Sequence, residues 1–144
     1  MKMRGDYVML RADELRLLLP QREITMTEYI EHAPMPTDRP GVHALPMPDG
    51  GRQEVVALSA QLLPLDDFPP DRFLLTRLGG AQDGIAAAWN EVRVLIDTEL
   101  EFHALPAIMR GERDLIDAYV ELGGELVLCT TSSRFVSAVL QHRD

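Results

Sequence analysis

The stretch from Gln53 to Phe68, QEVVALSAQLLPLDDF, is the apolar run that most constrains the rest of the chain. Val55, Val56, Leu58, Leu62, Leu63 and Leu65 are β-formers or large aliphatics, and Pro64 argues against a helix running through them. The run is long enough for one strand that crosses a core, or for two strands meeting at a bend. Charge returns at Asp66 and Asp67, where the chain is expected to surface. On this reading the residues before the stretch pair with it, and those beyond 68–71 form a second unit of the same kind.

Working back toward the N-terminus, Tyr7 to Leu10 and Leu15 to Leu19 are apolar runs split by polar residues and closed by Pro20, which predicts a hairpin. Ile24 to Ile30 alternates and predicts a third strand. His32 to Arg52 contains Pro34, Pro36, Pro40, Pro46 and Pro48, a density that predicts a long loop with one extended pass at Val42 to Leu45. Working forward, Arg72 to Leu78 and Asp83 to Trp89 flank Gly79-Gly80 and predict another hairpin. Val92 to Ile96 and Glu99 to Leu105 predict further strands, with a turn over Ala107 to Arg113. Leu115 to Leu122 and Glu125 to Thr130 flank Gly123-Gly124, the clearest hairpin signal in the chain. Phe135, Val136, Val139 and Leu140 then fall at helical spacing, which predicts a short C-terminal helix. Turn signals every 8 to 12 residues or so make this an all-β protein, a barrel or sandwich.

At 144 residues the chain is the size of one domain. Its 23 acidic against 14 basic side chains give a net charge of −9, which disfavours nucleic acid and anionic membrane surfaces as partners. One cysteine, Cys129, excludes an internal disulfide and a multi-cysteine zinc site, in keeping with a reducing cytoplasm. No secretory leader and no apolar run of about 18 residues is evident, so a cytoplasmic protein without membrane insertion is expected.

The order of the runs resembles CheW-type chemotaxis coupling proteins. Their central segment, N-L-R-G-x-x-L-P-x-x-D-L, falls here on Ala57 to Phe68, with Leu58, Leu63, Pro64 and Asp67 matching while Ala57, Ser59 and Ala60 replace the asparagine, arginine and glycine. The family's V-G-L-x-V-D-x-V strand looks like Ile85 to Val92, with Asn90 in the aspartate position, and its closing hairpin is similar to Ala118 to Cys129. The resemblance covers roughly Asp6 to Leu140. It implies two small five-stranded SH3-like barrels and a short C-terminal helix. It also implies an adaptor that links chemoreceptor tips, held in the groove between barrels, to the regulatory domain of a histidine kinase, held on a barrel face. The partner contact would then fall on Leu58, Ser59 and Ala60. Ser59 offers one short hydroxyl where the family has a multidentate guanidinium.

Chemistry beyond binding finds little support. Trp89, the only tryptophan, is expected in the core and becomes a partner anchor only if its edge is exposed. The histidines His32, His43, His103 and His142 lack metal-ligand spacing, and Asp97, Glu99 and Glu101 read as a solvated strand face. No cofactor is expected. Ser59 lacks a G-x-S-x-G elbow, and Cys129 reads as an inert buried thiol. Two alternatives remain: a small β-barrel enzyme using Ser59, Asp67 or His103 at the junction of the halves, and a subunit of the same fold for localisation or assembly that never meets a chemoreceptor. The sequence leaves the oligomeric state open.

Overall fold

The computed structural model describes residues 1–48, 50–59, 63–78, 86–106, 116, 118–131 and 134. Its strands, in chain order, are β1 (Lys2–Ala12), β2 (Leu15–Pro20), β3 (Ile24–Tyr29), β4 (Met35–Pro36), β5 (His43–Pro46), β6 (Arg52–Val56), β7 (Leu74–Leu78), β8 (Ala86–Trp89), β9 (Glu91–Glu101), β10 (His103–Ala104), β11 (Ala118–Leu122) and β12 (Glu125–Cys129). They form two six-stranded sheets, one ordered β10-β11-β12-β2-β1-β9 and the other β3-β7-β8-β6-β5-β4. The fold is all-β, as expected, with six strands in each sheet where five were anticipated.

The sheets are not the two halves of the sequence. The N-terminal hairpin β1-β2 belongs with β9 to β12, and everything from β3 to β8 forms the other sheet. The division near 68–71 is therefore corrected: the first sheet is discontinuous in sequence, and β2 joins β12 in parallel through Leu17–Leu128 and Leu18–Cys129. The second sheet has its own parallel join, Val55–Ala86 and Val56–Ala87. Parallel pairing needs a long crossover, which a chain read as successive hairpins does not reveal.

The apolar runs are continuous because their strands are buried on both faces. Along β1, Val8, Leu10 and Ala12 join the core shared by the two sheets, and the intervening Met9 turns into the first sheet's own core with Leu18, Leu100, Val120 and Val127. On β2, Leu15, Leu17 and Leu19 face the shared core while Leu18 faces away from it. In the second sheet Val56, Ala87 and Trp89 enter the shared core, and Val55, Ala86 and Ala88 enter a separate one with Leu45 and Leu75. The fold is thus three apolar layers built on period-two alternation. Each buried Leu or Val in these layers contributes about 1.5–3 kcal/mol of transfer free energy.

Among the described residues, the stretch from Gln53 to Phe68 is neither one crossing strand nor two strands at a bend, but one strand followed by a chain reversal. Strand β6 stops at Val56, and the chain then folds back on itself. Ser59 N–H donates to Leu63 O at 2.9 Å, Leu65 N–H donates to Ala57 O at 2.8 Å, and Leu58 and Pro64 form a β-bridge. Asp66 and Asp67 are exposed.

The proline-rich segment 32–52 holds more structure than expected, because Pro36 and Pro46 sit at strand ends, where a missing N–H costs little. Strand β5 pairs with both β4 and β6. The two runs 92–96 and 99–105 are largely one strand, β9, bent by a bulge where Asp97 takes φ 49° and its N–H is held by Asp6 Oδ1 at 2.7 Å. The Gly123-Gly124 hairpin forms as read, both glycines at positive φ. The Gly79-Gly80 turn, the Ala107 to Arg113 turn and the C-terminal stripe from Phe135 lie outside the described residues.

Candidate functional site: the seam between the sheets

Of the four residues expected to meet a partner, Leu58 and Trp89 are each 1% exposed and belong to the shared core. For Trp89 this is the core position expected of it, and Leu58, read as a contact residue, is buried beside it. The Trp89 indole Nε1–H donates to Thr76 Oγ1 at 2.8 Å, which satisfies its polar edge inside the protein. Ser59 is half-buried, and its Oγ accepts the Leu63 N–H at 3.3 Å, so the hydroxyl stabilises the reversal after Leu58. Ala60 lies outside the described residues.

Pro64 fixes this turn from the other side. Gly41 has φ 78°, and a Cβ built there would sit 2.8 Å from Pro64 Cβ, so only glycine lets the 37–42 loop approach.

The seam is held by a residue that the sequence does not mark. Arg72 is buried, and its Nη2 donates both to Leu58 O at 2.9 Å and to Asp13 Oδ2 at 2.9 Å. Asp13 is the positive-φ turn residue between β1 and β2, so one guanidinium ties the first sheet's hairpin to the second sheet's central turn. Asn90 adds a parallel tie. Its Oδ1 accepts Asp13 N–H at 2.6 Å, its Nδ2 donates to Asp71 O at 3.0 Å, and its own N–H donates to Arg11 O at 2.7 Å. Beside it, Arg11 Nε donates to Glu91 Oε1 at 3.1 Å. That bond, foremost, holds the Glu91 carboxyl below the usual carboxylate range against the opposing cost of its burial, with Arg93 nearby assisting.

The face that forms the shared core runs past the seam. Val8 pairs with Val94 and Leu10 with Val92, so Val92, Val94 and, by alternation, Ile96 lie on the same side as the shared core. Val92 packs against that core, but Val94 is 51% and Ile96 59% exposed. Two β-branched apolar side chains thus stand in water beside the junction of the sheets. The strand from Val92 to Ile96 was legible in the sequence; the exposure of Val94 and Ile96 was not.

The enzyme alternative fares poorly among the described residues. Ser59 is engaged in its turn, Asp67 is exposed, and His103 stacks on Tyr119 of the first sheet at 5.1 Å between ring centroids. No hydrogen bond joins any two of them, and none lines the three described cavities. Among the described residues no group of three His, Cys, Asp or Glu side chains is placed to hold a metal. Asp97 and Glu99 instead face Arg4 at 3.5 and 3.8 Å on an exposed surface. Cys129 is buried. No helix among the described residues is long and apolar enough to cross a membrane.

No family model matches the chain, and no curated protein sequence matches it. Among solved structures it is similar to the scaffolding protein TtCheW from Thermoanaerobacter tengcongensis, with a TM-score of 0.63, 9% sequence identity and 89% of each chain covered. At that identity the likeness establishes the fold: two SH3-like barrels, here built on the two curled six-stranded sheets.

Proposed function

We propose that this chain is a non-catalytic adaptor of the cytoplasm that couples chemoreceptor tips to the regulatory domain of a histidine kinase. The observation that carries this reading is the shared fold: most of the chain superimposes on a scaffolding protein of two-barrel build. The seam gives the reading a location. Val94 and Ile96 extend the apolar face of the shared core into solvent, and such a strip suits the apolar stripe of a helical receptor tip. The turn at Leu58 and Ser59 borders the same junction through the Arg72 tie. The kinase domain would take a barrel face. Titration of the chain against the regulatory domain of its cognate kinase tests the first arm; saturable 1:1 binding supports it, and no binding at tens of micromolar or so overturns it.

One observation favours a second reading with the same fold. Ser59 stands where the resemblance places an arginine, and its hydroxyl is spent on the Leu63 N–H. A subunit of a signalling or motility array that contacts the kinase and never a receptor would have no use for that guanidinium. Ser59→Arg separates the readings. Receptor binding gained only by the variant favours the assembly subunit, whereas receptor binding by the wild type favours the adaptor.

A further inference from the structure

The second barrel carries a groove, away from the seam residues, that the adaptor reading does not use. It has a volume of about 460 Å³ and lies between β3 and β5. Strand β3 ends its sheet and, among the described residues, is paired only with β7. Ile30 N–H donates to Phe73 O, so by alternation the backbone groups of Thr27 and Tyr29 point away from β7 and form an open edge. Leu45 and Leu75 form the floor and belong to this barrel's core. Glu28 and Glu31 stand on the rim beside His32, neither with an ion-pair partner among the described residues, and none of the described residues that line the groove is a lysine or arginine. Tyr29, 75% exposed, stacks parallel to Phe73 at the same margin, with ring centroids 6.4 Å apart.

We propose that this groove binds an extended, basic peptide segment of a partner protein, which adds to the free edge of β3. The reasoning is chemical. Unpaired strand edges over an apolar floor accept an extended chain, whose backbone completes the hydrogen bonds and whose alternate side chains enter the floor. The two carboxylates select cations, and an exposed aromatic face beside them suits a guanidinium. A second copy of this chain is a poor occupant, because each copy carries a net charge of −9. The inference goes beyond the adaptor reading and stands or falls separately from it.

The test uses two fluorescent ten-residue peptides, one alternating Leu, Val and Arg, the other with each Arg replaced by Glu. The basic peptide should bind saturably, weaken with added salt, and shift the amide resonances of Tyr29 and Leu45. In the double variant Glu28→Lys/Glu31→Lys its affinity should fall roughly tenfold, two surface ion pairs being worth about that much. Glu99→Lys/Glu101→Lys changes the net charge equally on the other sheet and should leave most of the affinity intact. Equal binding of both peptides, an equal loss in the two double variants, or shifts confined to other surfaces would overturn the proposal. So would concentration-dependent dimers blocked by the Glu28/Glu31 changes, which would make a second copy the occupant. Thermal unfolding of each variant shows whether it is folded; if Glu28→Lys/Glu31→Lys is not, Glu28→Gln/Glu31→Gln replaces it with the same expected direction.

Discussion

Arg72 Nη2 lies 2.9 Å from Asp13 Oδ2, with the arginine side chain fully buried and the carboxylate more than half exposed. The pair joins residues 59 positions apart and fastens one barrel to the other. Its value is unequal between partners. The guanidinium cannot return to water without opening the seam, while Asp13 is already largely hydrated.

Arg72→Ala should therefore cost about 3–5 kcal/mol, since it opens a cavity and strands the Leu58 carbonyl. Arg72→Met should cost less. It fills similar volume and removes Nε and Nη1, which have no partner among the described residues. Asp13→Asn should cost more than an exposed surface change, because it leaves a buried cation with a weaker acceptor. Urea denaturation followed by the emission of the single buried tryptophan checks all three. Equal losses for Arg72→Ala and Arg72→Met would refute the packing part of this account.

Trp89→Phe should keep the fold and lose about 1–3 kcal/mol, because Thr76 Oγ1 forfeits its indole donor inside the core. Chemical denaturation monitored by far-UV circular dichroism measures this without the tryptophan signal. A loss of the same size in the Thr76→Val background would mean that the bond contributes nothing.

Gly41→Ala should destabilise by about 1–3 kcal/mol, through the positive φ and the collision with Pro64. Gly50→Ala is the control: it shares the strained φ, at 89°, but meets no atom within 4 Å. The difference between the two melting temperatures isolates the contact with Pro64.

Much of the barrel architecture was legible in single strands and little in their assembly. The runs Val8 to Leu10, Leu17 to Leu19 and Ala86 to Trp89 announced strands, and Gly123-Gly124 announced its hairpin. That these runs are continuous because both faces are buried, one against each core, follows only once β2 meets β12 and β6 meets β8 in parallel. Such pairings leave no local turn signal. The site was less legible. Arg72, in a Pro-Pro-Asp-Arg-Phe setting, looks like any surface cation, and its burial depends on Asp13 and Leu58 O arriving from elsewhere in the chain. Trp89 lies in the core as its residue type suggested, whereas Leu58, placed at the partner contact by the resemblance, is packed inside by the three layers.

Acid should weaken the protein partly through Glu91. Its folded-state pKa lies below the ordinary value of 4.5, so the stability it provides is fully present above that value and is lost as pH falls through the lowered folded pKa. Glu91→Gln should therefore flatten the acid limb of stability against pH, and the two proteins should converge at the lowest pH values. Parallel curves would show that the Arg11 contact has no such effect.

The adaptor account is tested most directly by bridging. Beads carrying the cytoplasmic tip fragment of the cognate receptor are mixed with the kinase regulatory domain, with or without this chain. The account predicts that the kinase domain is retained only when the chain is present. It further predicts that Val94→Arg/Ile96→Arg, at two exposed positions, abolishes retention while the variant still binds the kinase domain in solution and melts like the wild type. Absence of retention with the wild-type chain at tens of micromolar or so would contradict the function, and full retention with the variant would contradict the seam as the receptor site.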